Sequence, residues 1–290
     1  MSRQKVALVT GASSGIGFAT AKEFASRGYR TYSCARRTEP MEPLKEHGVI
    51  PVACDVTSPE SVAKLKDLIA TECNGYLDIL YNNAGQLCSL PALDVTDDIF
   101  TQCFEVNVFA PMRLTREFAP LVIKAHGVVG FTGSVSGVVP IPYSAVYGAT
   151  KAAIHQYAAI LRLEFEPFGV RVLNIITGGV KTNIADTRGI PKFSFYQVPG
   201  MKKALTERQQ MAVRNKPMLP EVYARKVADD FELTTLGGKF NVYRGKMASL
   251  LGFLMLWCPR FLVERIFIWK FCLTEPFRYI TQKYAKTNVD

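Results

Sequence analysis

Apolar residues run through the first two thirds of the chain in two alternating rhythms. Short, almost unbroken apolar runs lie at Lys5–Thr10, Arg30–Ala35, Ile50–Ala53, Leu77–Tyr81, Gly127–Thr132 and Val170–Ile176. Continuous runs of this kind suit strands buried on both faces. Between them, apolar positions recur three and four residues apart, which predicts helices over Gly15–Arg27, Pro59–Cys73, Asp97–Ala125 and Ser144–Glu166. The alternation predicts an α/β fold, a doubly wound and mostly parallel sheet with helices on both faces.

The pattern loosens after Ile176. Thr177–Lys203 is rich in Gly, Pro and aromatic residues, and residues 177–205 are expected to form a long loop that serves as a substrate lid. A helix is expected over Leu219–Phe231 and a last strand over Lys239–Arg244, which closes a single domain over residues 1–244. Residues 245–290 form an extension in which Met247–Trp257 is almost wholly apolar. A bilayer span needs about 20 apolar residues, and Pro259, Arg260, Glu264, Arg265 and Lys270 break the apolar pattern beyond Trp257. The extension therefore reads as a membrane-surface hairpin or a set of interfacial helices, with Trp257 and Trp269 at headgroup depth. Packing against the domain or against a second copy of the chain is the alternative. If the extension is an anchor, anchoring and chemistry should be separable by deletion from residue 245 onward.

Charge sharpens this division. Residues 1–189 carry 18 Lys/Arg against 17 Asp/Glu, whereas residues 190–290 carry 17 against 8. A basic last third points to an anionic partner. Because no nucleic-acid motif accompanies the charge, a membrane surface or a phosphorylated substrate is expected and nucleic acid is not. The seven cysteines are scattered, as in a reduced intracellular protein. The apolar run Val6–Val9 is too short for the core of a secretory signal. His47, His126 and His155 lack metal-ligand spacing, and no metal is expected.

The first strand runs into Thr10-Gly11-Ala12-Ser13-Ser14-Gly15-Ile16-Gly17, and the first helix comes next. Glycines there allow a tight turn and close backbone approach, and a helix N-terminus presents free N–H groups to a pyrophosphate. A dinucleotide is the expected ligand. Selection of the unphosphorylated cofactor usually needs an acid at the end of the second strand. This chain instead places Arg36 and Arg37 there, a pair suited to the 2′-phosphate of NADPH. Solvated surface arginines are the plainer alternative. Further on, Tyr147 and Lys151 stand four apart at the start of a helix and share a face. An ammonium beside a phenol lowers the phenol's pKa, and the expectation is a tyrosine able to give and recover a proton near neutrality. With 12 tyrosines in the chain, roughly one such pair arises by chance, and Tyr279 with Lys283 is read as that one.

Taken in order, these motifs resemble those of the short-chain dehydrogenases/reductases over about residues 5–182. The glycine loop matches T-G-x-x-x-G-I-G, and Asn82-Asn83-Ala84-Gly85 matches the family's N-N-A-G turn. The resemblance implies a Rossmann fold and a nicotinamide cofactor held by Gly11, Ser13, Ser14, Gly15, Ile16, Gly17, Arg36, Arg37, Asp55, Val56, Asn83, Ala84, Gly85, Val180 and Thr182, with Tyr147 and Lys151. It implies that Ser134, 13 residues before Tyr147, polarises a carbonyl; Ser136 is the neighbouring alternative. It also implies that Tyr147 donates the proton and that Lys151 and a water at Asn107 return it. One departure stands out: Thr177-Gly178-Gly179-Val180-Lys181-Thr182 lacks the family's usual proline, which predicts a looser turn.

A narrower resemblance, on Tyr32–Arg37, Glu39-Pro40-Met41 and Ile176–Val180, is to the fungal 1-acyldihydroxyacetone-phosphate reductases. It implies a lipidic, phosphorylated ketone whose phosphate Lys181, Arg188 or Lys192 would meet. The apolar, basic extension for its part predicts attachment, through residues 245–275, to a cytosol-facing lipid surface such as the endoplasmic reticulum or a lipid droplet. Retinal and 17β-hydroxysteroid reductases share the same motifs and stay open. So does a lipase or esterase, because Gly11-Ala12-Ser13-Ser14-Gly15 also reads as a nucleophile elbow at Ser13. A homodimer is a further candidate assembly.

Overall fold

A computed structural model describes residues 3–182, 184, 186, 188–214 and 216–285. Positions 183, 185 and 187 of the expected lid and 286–290 of the extension lie outside the described residues. Six strands, β1 (Val6–Thr10), β2 (Arg30–Ala35), β3 (Val49–Ala53), β4 (Ile79–Asn82), β5 (Val128–Thr132) and β6 (Arg171–Thr177), are joined by β7 (Asn241–Arg244). They form one parallel sheet in the order β3-β2-β1-β4-β5-β6-β7. The order reverses between β1 and β4, so their carboxyl ends open a crevice at the switch point, where doubly wound sheets bind ligands.

Both faces are covered. The helices are α1 (Gly15–Ser26), α2 (Pro59–Glu72), α3 (Asp97–Phe104), α4 (Ala110–Ala125), α5 (Ala145–Phe165), α6 (Met201–Gln209), α7 (Met211–Arg214), α8 (Pro220–Leu233), α9 (Ala248–Trp257), α10 (Arg260–Lys270) and α11 (Thr274–Ala285). Strand alternation sends Leu8, Tyr32, Leu80, Val129 and Val172 to one core, against α2, α4 and α5. It sends Ala7, Val9, Tyr81, Val128 and Leu173 to the other, against α1 and α8. Phe231 of α8 packs edge-on against Phe24 and Tyr81. Gly130 of β5 makes room for it, since a Cβ there would stand 2.2 Å from the ring.

The expected helix over Asp97–Ala125 is interrupted. Between α3 and α4, Glu105–Phe109 widens into a π turn in which Ala110 N donates to Glu105 O. Pro111 is one cause: it has no N–H with which to bond the carbonyl of Asn107, four residues back. The expected lid is only partly loop, because α6 begins at Met201. Unforeseen, too, is the 3-10 stretch Glu39–His47 after β2.

The extension is helical, and one side of it is part of the protein interior. Ala248, Val263, Phe267, Phe271 and Leu273 are buried in a third core with Val135, Ile141, Ile176, Met201 and Leu205. Deletion from residue 245 would therefore strip a wall from the domain, and the expected separation of anchoring from chemistry by deletion holds only on condition that the core still folds. Its other side is apolar and exposed, as at Leu256 (78 % exposed), Trp257 (74 %) and Trp269 (77 %). Among the described residues no helix is long and apolar enough to cross a membrane.

Candidate active site

The carboxyl ends of β1 and β4 are sewn together by one threonine. Thr10 Oγ1 accepts from the N–H groups of Asn83 and Ala84, each at 3.0 Å, and donates to Tyr81 O at 3.3 Å. Asn83 Nδ2 returns a bond to Thr10 O at 2.9 Å. The loop from Gly11 to Gly17 lies hard against this seam. A Cβ on Gly11, where φ is +66°, would stand 2.6 Å from Ala84 Cα, and one on Gly17 would stand 2.5 Å from Gly11 O. Only glycine fits at either position. Ser14 caps α1 with no side-chain bond, which leaves the first N–H groups of the helix to a ligand. Thr182 closes over Gly15, its Cγ2 2.9 Å from where a Cβ would be. A cleft of about 290 Å³ opens beside them, lined by Gly15, Lys181, Thr182, Leu219, Pro220 and Glu221.

Arg36 and Arg37, at the end of β2, are exposed and form no ion pair with any described residue. Asp55 accepts from Thr57 N at 3.0 Å and Thr57 Oγ1 at 2.7 Å. These bonds, with the Arg36 charge, hold its carboxyl below the usual range. Val56 beside it is buried.

Asn107 is buried in the π turn. Its Oδ1 accepts from Gln86 N at 2.8 Å, and its Nδ2 donates to Gln86 O at 2.9 Å and Thr150 Oγ1 at 3.0 Å. It thus clamps the segment after Gly85 to α5. Gly85 separates Asn107 from Lys151: a Cβ there would stand 3.4 Å from Asn107 Oδ1 and 3.8 Å from Lys151 Nζ. Lys151 is buried and donates to Thr132 O at 2.7 Å. Ser134 sits just past β5, and its Oγ accepts from Ser136 N at 3.1 Å. The Ser134 hydroxyl is the one hydrogen-bonded to the Tyr147 phenol.

The expected lowering of the Tyr147 pKa by Lys151 does not appear. Burial pushes the Tyr147 phenol up to about 12, only partly offset by the Ser134 hydroxyl and the charge of Arg208. Burial pushes Lys151 down to about 8. The lysine nitrogen lies 5.7 Å from the centre of the Tyr147 ring and is bonded to Thr132 O instead, so it acts on the phenol weakly. Nor is the turn after β6 loose. Thr177, in the place of the family's proline, bonds Tyr223 OH at 2.6 Å, while Gly178 N and Gly179 N donate to Arg244 O and Lys246 O.

Two residues not foreseen from the sequence stand in the site. His155 Nε2 accepts from Ser134 N at 3.1 Å, in a slot left by Gly133 and Gly137, and burial pushes its pKa down to about 4. Arg208 of α6 donates from Nε to Pro142 O at 3.1 Å and from Nη2 to Ser144 Oγ at 2.5 Å, one helical turn before Tyr147. Of the three cations proposed to meet a phosphate, Arg188 is already bound to Asp186 at 2.6 Å. Lys181 faces the cleft by Gly15, and Lys192 is exposed. Ser13, the serine of the elbow reading, has no histidine partner: His155 serves Ser134, and His126 Nδ1 lies 3.0 Å from Phe168 O.

The short chain dehydrogenase family model matches residues 5–190. The NADPH-dependent 1-acyldihydroxyacetone phosphate reductase of Saccharomyces cerevisiae is 45% identical over 277 residues, covering 94% of this chain and 93% of that one. A short-chain dehydrogenase structure from Streptomyces avermitilis superposes with a TM-score of 0.76 at 26% identity, covering 100% of both chains. One from Burkholderia cenocepacia in complex with NADP gives 0.71 at 26% identity, covering 91% of this chain and 97% of that one. The stitched β1–β4 seam, the glycine cradle and the Asn107, Ser134, Tyr147 and Lys151 cluster thus coincide with a match over most of the sheet, and the chain belongs to the short-chain dehydrogenase family.

Proposed function

We propose that the protein reduces 1-acyldihydroxyacetone phosphate to 1-acylglycerol 3-phosphate with NADPH. One observation carries the substrate assignment. The family model ends at residue 190, but the match to the yeast reductase extends over 94% of the chain. It therefore takes in the lid and C-terminal helices, which wall the substrate side. Retinal and ketosteroid reduction share the chemistry but have no such support.

The residues fit a phosphorylated dinucleotide. The pyrophosphate would lie on the Gly11–Gly17 loop and the bare N-terminus of α1, which the glycines leave open. Arg36 and Arg37, exposed and without ion-pair partners among the described residues, would take the 2′-phosphate. Asp55 and Val56 would border the adenine, and Asn83, Ala84 and Gly85 the face of the cofactor. Val180 and Thr182 would border the nicotinamide, with Lys151 and Tyr147 at its ribose. NADPH supplies the hydride that the carbonyl carbon accepts. Ser134 and Tyr147 hydrogen-bond the carbonyl oxygen as negative charge grows there. Tyr147 then gives that oxygen its proton, completing the alcohol. A phenol pushed up to about 12 is protonated at working pH, as a proton donor must be. Lys151, buried and pushed down to about 8, would return a proton to the tyrosine from solvent, through water held at the Asn107 carbonyl.

A lipid surface is the proposed workplace, on the cytosolic side of the endoplasmic reticulum or on a lipid droplet. The outer faces of α9 and α10 expose Phe253, Leu256, Trp257, Phe261, Ile266 and Trp269, interleaved with Arg260, Arg265 and Lys270. An apolar stripe edged by cations suits the interface of an anionic membrane. For the activity, purified protein with NADPH is offered 1-palmitoyldihydroxyacetone phosphate, retinal and a 17-ketosteroid. The expected result is the highest kcat/KM on the first, with 1-palmitoylglycerol 3-phosphate as product. A higher value on either of the others would overturn the assignment.

A further inference from the structure

Among the described residues, Arg208 is a cation with no carboxylate of its own. It is only 8% exposed, and its described acceptors, Pro142 O and Ser144 Oγ, are both neutral. Buried charges are normally paired, because an unpaired one is costly to remove from water. The nearby carboxylate, Asp186, is bound by Arg188 and by Ser89 N at 2.6 Å. A guanidinium carries five N–H donors, and the two described bonds leave donors over.

The position is as informative as the isolation. Ser144 is the cap of α5, and Tyr147 comes one turn later, about 5 Å along the axis. Tyr143, just before the cap, takes a left-handed φ of 58°. This turn directs the Pro142 carbonyl at Nε. The charge of Arg208 is felt at the Tyr147 phenol. The apolar wall begins on the same helix, where Met201, Ala204 and Leu205 are buried with Ile141 and Phe267. In an acyl ketone phosphate, the phosphorus stands three bonds from the carbonyl carbon. A cation that recognises the phosphate must therefore lie close to the groups that hold the carbonyl.

We propose that Arg208 is the anion-recognising residue of the substrate site: it receives the phosphate monoester of a single-chain lipid and so places the ketone against Ser134 and Tyr147. The inference rests partly on the substrate reading above, but it concerns a chemical class, a lipid phosphate over its uncharged counterpart. A bidentate, charge-assisted contact of this kind is worth roughly 10- to 100-fold in affinity. Lysine at 208 keeps the charge and loses the planar fork, whereas glutamine keeps hydrogen bonding to Ser144 and loses the charge.

The test uses the NADP-loaded protein and two probes, octyl phosphate and octanol, titrated by calorimetry into the unmodified chain, Arg208→Lys and Arg208→Gln. Octyl phosphate is expected to bind the unmodified chain at least 10-fold more tightly than octanol. Arg208→Gln should bring that ratio near one, with Arg208→Lys between. In turnover, the ratio of kcat/KM for phosphorylated over unphosphorylated acyl ketone should fall at least 10-fold in Arg208→Gln. Thermal unfolding of each variant reports whether it folds, and if the glutamine variant does not, the lysine variant decides. An unmodified chain indifferent to the phosphate, or a ratio unmoved by either substitution, overturns the proposal. If the unmodified protein reduces neither acyl ketone but the octyl phosphate preference depends on Arg208, the substrate reading fails and the anion site stands.

Discussion

The two ends of the active-site crevice are built on opposite principles. On the cofactor side, the phosphate loop is held by close backbone approach and one short side chain: Gly11 against Ala84, Gly17 against Gly11, and the Thr10 hydroxyl against the turn after β4. On the substrate side, the wall is made of apolar side chains from four separated segments, with buried Arg208 beside it. Beyond the wall, α9 and α10 turn a greasy, basic face outward. A ligand of fixed shape permits a rigid cradle that admits only glycine at its closest points. A flexible acyl chain needs a wall that can be rebuilt from one relative to the next, and helices appended after the last strand supply one.

The contrast can be tested from its centre outward. Tyr147→Phe removes the proton donor where the two sides meet. Turnover should fall by about 10²–10⁴-fold while NADPH affinity stays near that of the unmodified protein, measured by nicotinamide fluorescence. Loss of cofactor binding along with turnover would mean that the tyrosine belongs to the cradle instead.

Next in size is a pH effect at His155, which holds the loop of Ser134. Its folded pKa of about 4 lies below the ordinary 6.5. The unfolded chain therefore binds more protons between these values. Stability from this group is full above pH 6.5 and is lost as the pH falls toward 4, by roughly 3 kcal/mol in all. In urea melts from pH 7.5 to 4.5, His155→Gln should flatten that part of the decline. An unchanged slope would remove the histidine from the account.

On the cofactor side, Arg36→Ala should reduce the preference for NADPH over NADH by roughly 1–3 kcal/mol, seen in the ratio of the two dissociation constants. On the outer face, Trp257→Ala with Trp269→Ala should weaken flotation with vesicles containing anionic lipid by about tenfold, at little expense in thermal stability. Both rings are mostly exposed, and the ring that Trp257 meets, Phe253, is itself exposed. A full-length protein that does not float at all defeats the surface reading outright.

Much of the cofactor side was legible in the sequence because its constraints are written in residue types. Unbroken apolar runs predict the parallel strands, glycines at fixed spacing predict the loop, and the Asn83–Gly85 turn follows from the family resemblance. The substrate side was harder to read. Arg208 comes after Lys202 and Lys203 in α6 and looks like one more solvated cation; only the fold shows it buried. His155 looked isolated because its partner, Ser134, lies 21 residues away. The relation between Lys151 and Tyr147 was misjudged because a shared helical face does not say where a long side chain ends, and this one ends on Thr132 O. For the extension the sequence offers anchor and packing as alternatives; its helices pack one face on the domain and leave an apolar face exposed.

Pro111 carries a lesson for anyone who would improve this protein. By the usual scales it is a blemish near the start of a long helix, and replacing it with alanine looks like free stability. The replacement would restore one hydrogen atom to the backbone and offer the Asn107 carbonyl an ordinary helical donor. The winding at Glu105–Phe109 would lose a reason to stay wide, and the carbonyl we propose as the anchor of the proton path would be claimed by its own helix. A sturdier and slower enzyme is the expected product of that repair.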